Sequence, residues 1–201
     1  MINLAAQYLG IGTSGKLELM EYYNKNCFPQ VDAKRKYRIQ PNDDWCAMFT
    51  TVIAHMAGLD ATKFPYEVSV WWQCEIAKQR GLYFTDVNQA KPNDVIIYDW
   101  KKGNRYNHVG FVVSVGNGML KAIEGNKSNT VAYRSIRADS PLIRGFISTN
   151  TPIVDDLPVV DVDLRVALLA IAVLKGKMGN GTERRTKLGS DYDAVQQLVN
   201  M

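Results

Sequence analysis

"NHVGFVVSV" (residues 107–115) is where the chain changes period. In an extended segment Val109, Phe111, Val113 and Val115 fall on one, greasier side, and His108, Gly110, Val112 and Ser114 on the other. Its neighbours behave alike. "DVIIYDW" (94–100), "MLKAIEG" (119–125), "TVAYRSI" (130–136) and "RGFIST" (144–149) are short, β-rich and separated by Gly/Asn turns. That spacing predicts an antiparallel meander. Upstream the apolar residues recur at helical spacing, over 17–28, over 45–59 closing on Gly58, and over 67–81 closing on Gly81. Helices first and a sheet afterwards predict an α+β domain.

A break follows at "STNTPIVDDLPVVDVD" (148–163), which has two prolines, an acidic cluster and little periodicity. The expected organisation is a domain over 1–149, a linker over 150–160 and a small C-terminal unit over 161–201. A chain of 201 residues accommodates both. The longest apolar run, "VALLAIAVL" (166–174), is far below the roughly 20 residues that span a bilayer. No membrane insertion is expected, and the N-terminal stretch does not read as a secretory leader. The net charge of +4 suits an anionic partner such as cell-wall polymer. No dense Lys/Arg stripe with interleaved aromatics supports nucleic acid.

Three cysteines, Cys27, Cys46 and Cys74, without a CxxC pair, read as free thiols in a reducing compartment. Cys46 is placed in the first turn of a helix, behind the capping candidates Asn42, Asp43 and Asp44. A helix N-terminus favours thiolate, whereas the two aspartates oppose it. A small buried core residue is the competing reading. His55 cannot serve this thiol: nine residues on, it is on the opposite face and roughly 13 Å away. His108 is the remaining imidazole, with a satisfied core or surface histidine as its plainer reading. Gly110 is expected to leave backbone room for a ligand. Glu124 and Asn126 share a face of the next strand, so a carboxylate and an amide could both reach an imidazole. Cys, His and an orienting polar group make a thiol hydrolase site.

"DWCAMF", "KPNDVIIYDW", "NHVGFVVSV" and "AIEGN", in that order, resemble the CHAP group of cysteine–histidine amidohydrolases and peptidases. The resemblance covers about residues 1–148. It implies a papain-like thiol hydrolase fold, with Cys46 as nucleophile, His108 as general base, Glu124 as its orienting acid and Asn126 as a neighbouring support. It implies no cofactor, and the acidic calcium loop of some relatives is not visible, so no metal is expected. Asn93 stands where the family has glycine and is expected to alter only the turn. Gln40 is a candidate oxyanion donor or a surface residue.

The tail reads as three short helices, with breaks at Gly176 and Gly189, Asp191 capping the last, and a core of Leu168, Ile171, Leu188, Val195 and Leu198. "LKGKMGNGTERRTKL" and "DYDAVQQLVN" resemble the muropeptide-binding repeat of phage lysins, with Met178 replacing the usual Trp. The candidate ligand contacts are Met178, Asn180, Arg184, Arg185 and Tyr192. Solvated helix face for the arginines, a cap for Asn180 and core packing for Tyr192 are the alternatives.

The combination resembles a phage endolysin. It implies a bacteriolytic peptidoglycan hydrolase, made in the host cytoplasm and acting on the bacterial cell wall. The expected bond is an amide of the stem peptide or of the muramoyl–peptide junction. The rivals are an NlpC-type peptidase and a non-catalytic wall-binding protein; a zinc amidase lacks ligands. A single repeat predicts either modest wall affinity as a monomer or a homo-oligomer held by the tails.

Overall fold

The computed structural model describes residues 1–103, 105–150, 164–174 and 176–200. The chain divides into two compact units, Met1–Ile153 and Val154–Met201. The expected linker over 150–160 lies, from 151 on, outside the described residues.

The first unit is α+β, as its periodicity predicts. Helices α1 (Ile2–Ala6), α2 (Thr13–Tyr22), α3 (Cys46–Met56) and α4 (Val70–Gln79) precede a six-stranded sheet. The strands are β1 (Tyr83–Phe84), β2 (Val95–Tyr98), β3 (His108–Gly116), β4 (Met119–Lys127), β5 (Thr130–Arg137) and β6 (Ile143–Ile147). Strands β2 to β5 form the expected meander. β6 instead returns to the free side of β2, and the two-residue β1 adds outside it, giving the order β1-β6-β2-β3-β4-β5. Each pairing is antiparallel.

Residues Cys46 through Ala54 of α3 are all buried. A helix that is apolar all round belongs in a core, and α3 packs on β3 and β4. Gly125 permits the close approach: a Cβ there would fall 2.5 Å from Phe49 Cβ. Trp45 is fully buried beneath the helix start, edge-on to Phe49 at 6.3 Å, and its Nε1 donates to Asn129 Oδ1 at 3.4 Å. Truncating such a ring costs about 3–5 kcal/mol. The expected caps are not used. Trp45 occupies the N-cap of α3 with no side-chain bond. Asp43 is drawn away by Gln40 N at 2.7 Å and Tyr37 Oη at 2.9 Å, and Asp44 accepts from Asn126 at 2.9 Å.

The strand parity also needs a correction. Pairing between β3 and β4 shifts between Val112 and Ser114, so Val113 is a bulge. One extra residue reverses the alternation beyond it. Val109, Phe111 and Val113 face the helices with Val95, Ile97 and Ile123. Val115, past the bulge, joins Val112, Ile96, Tyr98, Leu120 and Ala122 on the other face. Asn93 does more than alter its turn: at φ 77° its Oδ1 also accepts from Ile2 N at 3.0 Å.

The second unit has helices α5 (Leu164–Leu174), α6 (Gly181–Leu188) and α7 (Tyr192–Val199). Its core is Val166, Ala170, Val173, Leu188 and Val195. Ile171, expected inside, is 41% exposed. The buried face of α5 follows 166, 170 and 173, and Ile171 is about 100° off it. The Leu168 and Leu198 side chains lie outside the described residues. Asp191 occupies the N-cap position of α7 but makes no capping bond with its side chain. Among the described residues no helix is long and apolar enough to cross a membrane.

Candidate active site

Three elements deliver one cleft of about 330 Å³, within the size range of small-ligand sites. Cys46 enters it as the first residue of α3, Asn107 and His108 from the start of β3, and Asn126 from the end of β4; Trp100 and Arg134 complete the wall. The turn before Cys46 is held from behind by Lys16, a buried α2 lysine whose Nζ donates to the carbonyls of Pro41 and Asp43 at 2.5 and 2.7 Å.

His108 sits opposite Tyr98 in the β2–β3 pairing, its ring stacked on that of Tyr98 at 5.7 Å. Its Nε2 lies 3.0 Å from Glu124 Oε2, which leaves Nδ1 for the sulfur. Burial opposes the charged imidazole. The neighbouring Cys46 sulfur and Glu124 carboxylate outweigh it through hydrogen bonding and charge, pushing His108 up to about 9. Glu124 is fully buried. Burial alone would raise its carboxyl, but the hydrogen bonds and charges of His108 and Arg134 hold it below the usual range.

Gly110 has a different use from the one expected. A Cβ there would lie 2.6 Å from Glu124 Cγ and 2.8 Å from Ile123 O. The missing side chain makes room for Glu124, not for a ligand.

Cys46, His108 and Glu124 are thus brought together. Asn126 lines the same cleft, but its amide goes to Asp44 and not to the imidazole. His55 is elsewhere, with Tyr22 Oη 2.9 Å from its Nδ1. Gln40 is exposed and turns its amide to Arg38 O at 2.8 Å, away from the thiol. Cys27 and Cys74 are fully buried, and burial pushes these thiols up to about 12 and about 11. Among the described residues no group of three His, Cys, Asp or Glu is arranged to hold a metal ion.

Arg134, Trp100 and Tyr98 were not anticipated. Arg134 Nε reaches both Glu124 oxygens, at 2.7 and 2.9 Å. In the folded sheet Ala132, Arg134 and Ile136 form the half-buried row of β5, while Tyr133, Ser135 and Arg137 are exposed. A charge in an inward row calls for a partner.

In the tail unit the five candidates fall into separate contacts. Arg184 donates to Asn180 Oδ1 at 2.9 Å and to Gly179 O at 3.0 Å. The Arg185 guanidinium stacks over Tyr192 at 4.4 Å. Met178 and Tyr192 pack against the unit's core.

Residues 37–126 match the CHAP domain model, and residues 168–201 match that of the CW_7 repeat. No curated protein matches the chain. Among solved structures, the crystal structure of Ly7917 aligns at 12% identity with a TM-score of 0.37, over 69% of this chain. The chain spans 62% of the length of that structure. The CHAP match contains Cys46, His108, Glu124 and Asn126, and the CW_7 match contains the whole set of tail candidates. Residues 37–126 of the chain therefore carry a CHAP domain and residues 168–201 a CW_7 repeat.

Proposed function

We propose that the protein is a peptidoglycan hydrolase that cleaves an amide by cysteine nucleophilic catalysis. The observation that carries this reading is the imidazole of His108, set between the Cys46 sulfur and Glu124 in an open cleft. His108 takes the thiol proton, and the thiolate attacks the carbonyl of the stem-peptide or muramoyl–peptide amide. The imidazolium gives its proton to the leaving amine, which departs as an acyl-enzyme forms. His108 then deprotonates a water, which releases a carboxylic acid and regenerates the thiol. The oxyanion faces the start of α3, whose first N–H groups lack intrahelical partners and carry no side-chain cap.

Glu124 orients the imidazole. Asn126 acts one step removed, through Asp44 and the loop that precedes the nucleophile. The CW_7 repeat binds the wall, through Met178, Asn180, Arg184, Arg185 and Tyr192. The biological role is lysis of a phage host, with the enzyme made in the host cytoplasm. A single repeat favours either modest affinity or assembly through the tails, which light scattering separates.

The test is digestion of purified cell walls with mass spectrometry of the fragments. A new muramic-acid terminus identifies an amidase; a new amine on a stem or cross-bridge residue identifies an endopeptidase. Retention on walls with no released amide product in either form would leave only a wall-binding protein and overturn the proposal.

A further inference from the structure

We propose that Arg134, outside the segment that matches the CHAP model, is a positioning residue that keeps Glu124 ionised and in place throughout the reaction cycle. The inference rests on the cysteine mechanism above. It starts from a difficulty in that mechanism. Glu124 is fully buried, and one of its partners, His108, changes charge during turnover. Whenever the imidazole is neutral, a buried carboxylate facing it alone would be an uncompensated charge. Such a group takes up a proton or moves.

The geometry supplies a cation that does not titrate. Arg134 Nε lies 2.7 Å from Oε1 and 2.9 Å from Oε2 of Glu124, and Oε2 is also the oxygen that meets His108. The guanidinium is itself fixed, 4.5 Å over the ring of Trp100 and 5.8 Å from that of Tyr98. The sheet register produces this. Ala122 pairs with Arg134 and Glu124 with Ala132, so Arg134 and Glu124 are diagonal neighbours on one face. His108 thus exchanges protons against a carboxylate whose charge is held from the other side.

The experiment is alkylation of Cys46 by iodoacetamide as a function of pH, resolved by peptide mapping, on the full chain. It reads the thiolate without any wall substrate. Removing the cation disfavours both the Glu124 carboxylate and the thiolate. Arg134→Gln is therefore expected to move the acid limb of alkylation to higher pH by about one unit. It should also lower kcat on cell walls at least tenfold with little change in KM. Arg134→Lys should restore most of both. An unmoved acid limb in a folded Arg134→Gln protein overturns the proposal, as does failure of the lysine variant to rescue. If Arg134→Gln does not fold, Trp100→Leu loosens the guanidinium but keeps its charge, and should move the limb the same way by less. No movement there also overturns it. Absence of wall cleavage by the wild type is a separate result, against the cysteine hydrolase reading, and leaves the alkylation test standing.

Discussion

Asn126 Nδ2 donates to Asp44 Oδ1 at 2.9 Å, which ties the end of β4 to the loop that presents Cys46. Glu124, two residues earlier on the same strand, goes to the imidazole. One strand end therefore fixes both partners of the proposed chemistry. Asn126→Ala and Asp44→Ala should each lower turnover several-fold, and the double variant should be no worse than either single. A double-mutant cycle should return a coupling of about 0.5–1.5 kcal/mol. Independent, additive losses would show that the bond does not transmit to the thiol.

The three cysteines provide a second comparison. Cys46→Ala should abolish wall hydrolysis, while Cys27→Ala and Cys74→Ala retain most of it and lose about 1 kcal/mol or more of stability. Iodoacetamide should modify Cys46 first, because burial closes off Cys27 and Cys74 and holds them protonated. Peptide mapping after brief exposure gives the order of reaction.

The histidines differ in the same way. His108→Ala should cost about 10²–10⁴-fold in rate, and His55→Ala should leave turnover nearly intact. The active pair needs a protonated imidazole, so kcat/KM should fall as pH rises through about 9. Stability has the same sign. A folded pKa above the unfolded one near 6.5 makes this contribution full below the unfolded value and lost as pH rises through about 9. Urea melts at pH 6, 8 and 10 test it: the midpoint should fall over both intervals, no less over the first than over the last, in wild type and less so in His108→Ala.

Gly110→Ala offers a test that adds a methyl group instead of removing a side chain. The new Cβ would fall against Glu124 Cγ and Ile123 O. Neither yields freely, since Glu124 is held by His108 and Arg134 and the other atom is backbone. The expected cost is about 1–3 kcal/mol of stability, with a loss of activity larger than that of Asn126→Ala. Thermal melts and wall assays on the same sample decide whether the two losses travel together.

Local patterns carried much of this architecture. The switch from helical to alternating spacing is written residue by residue, so the α+β class and the meander could be read from it. What could not be read depends on register. The bulge at Val113 leaves no mark in a run of valines, and it sends Val115 to the opposite face. The return of β6 beside β2 is a long-range pairing with no local signature. Cys46, His108 and Glu124 stand out by residue type and motif. Arg134 does not, because its relation to Glu124 exists only once β4 and β5 have paired. Asn42, Asp43 and Asp44 have the composition of caps, yet Gln40 and Tyr37, a few residues upstream, and Asn126, from β4, take the two aspartates.

The bond between Asp44 and Asn126 spans 82 residues of sequence. During synthesis Cys46 therefore leaves the ribosome well ahead of the strands that complete its cleft. At ordinary translation speeds the interval is roughly 4–16 s. Until Glu124 has been made, no nascent chain holds the sulfur, His108 and Glu124 together. The cleft is assembled when β3 and β4 close on α3, so competence arrives with tertiary folding and not with emergence of the nucleophile.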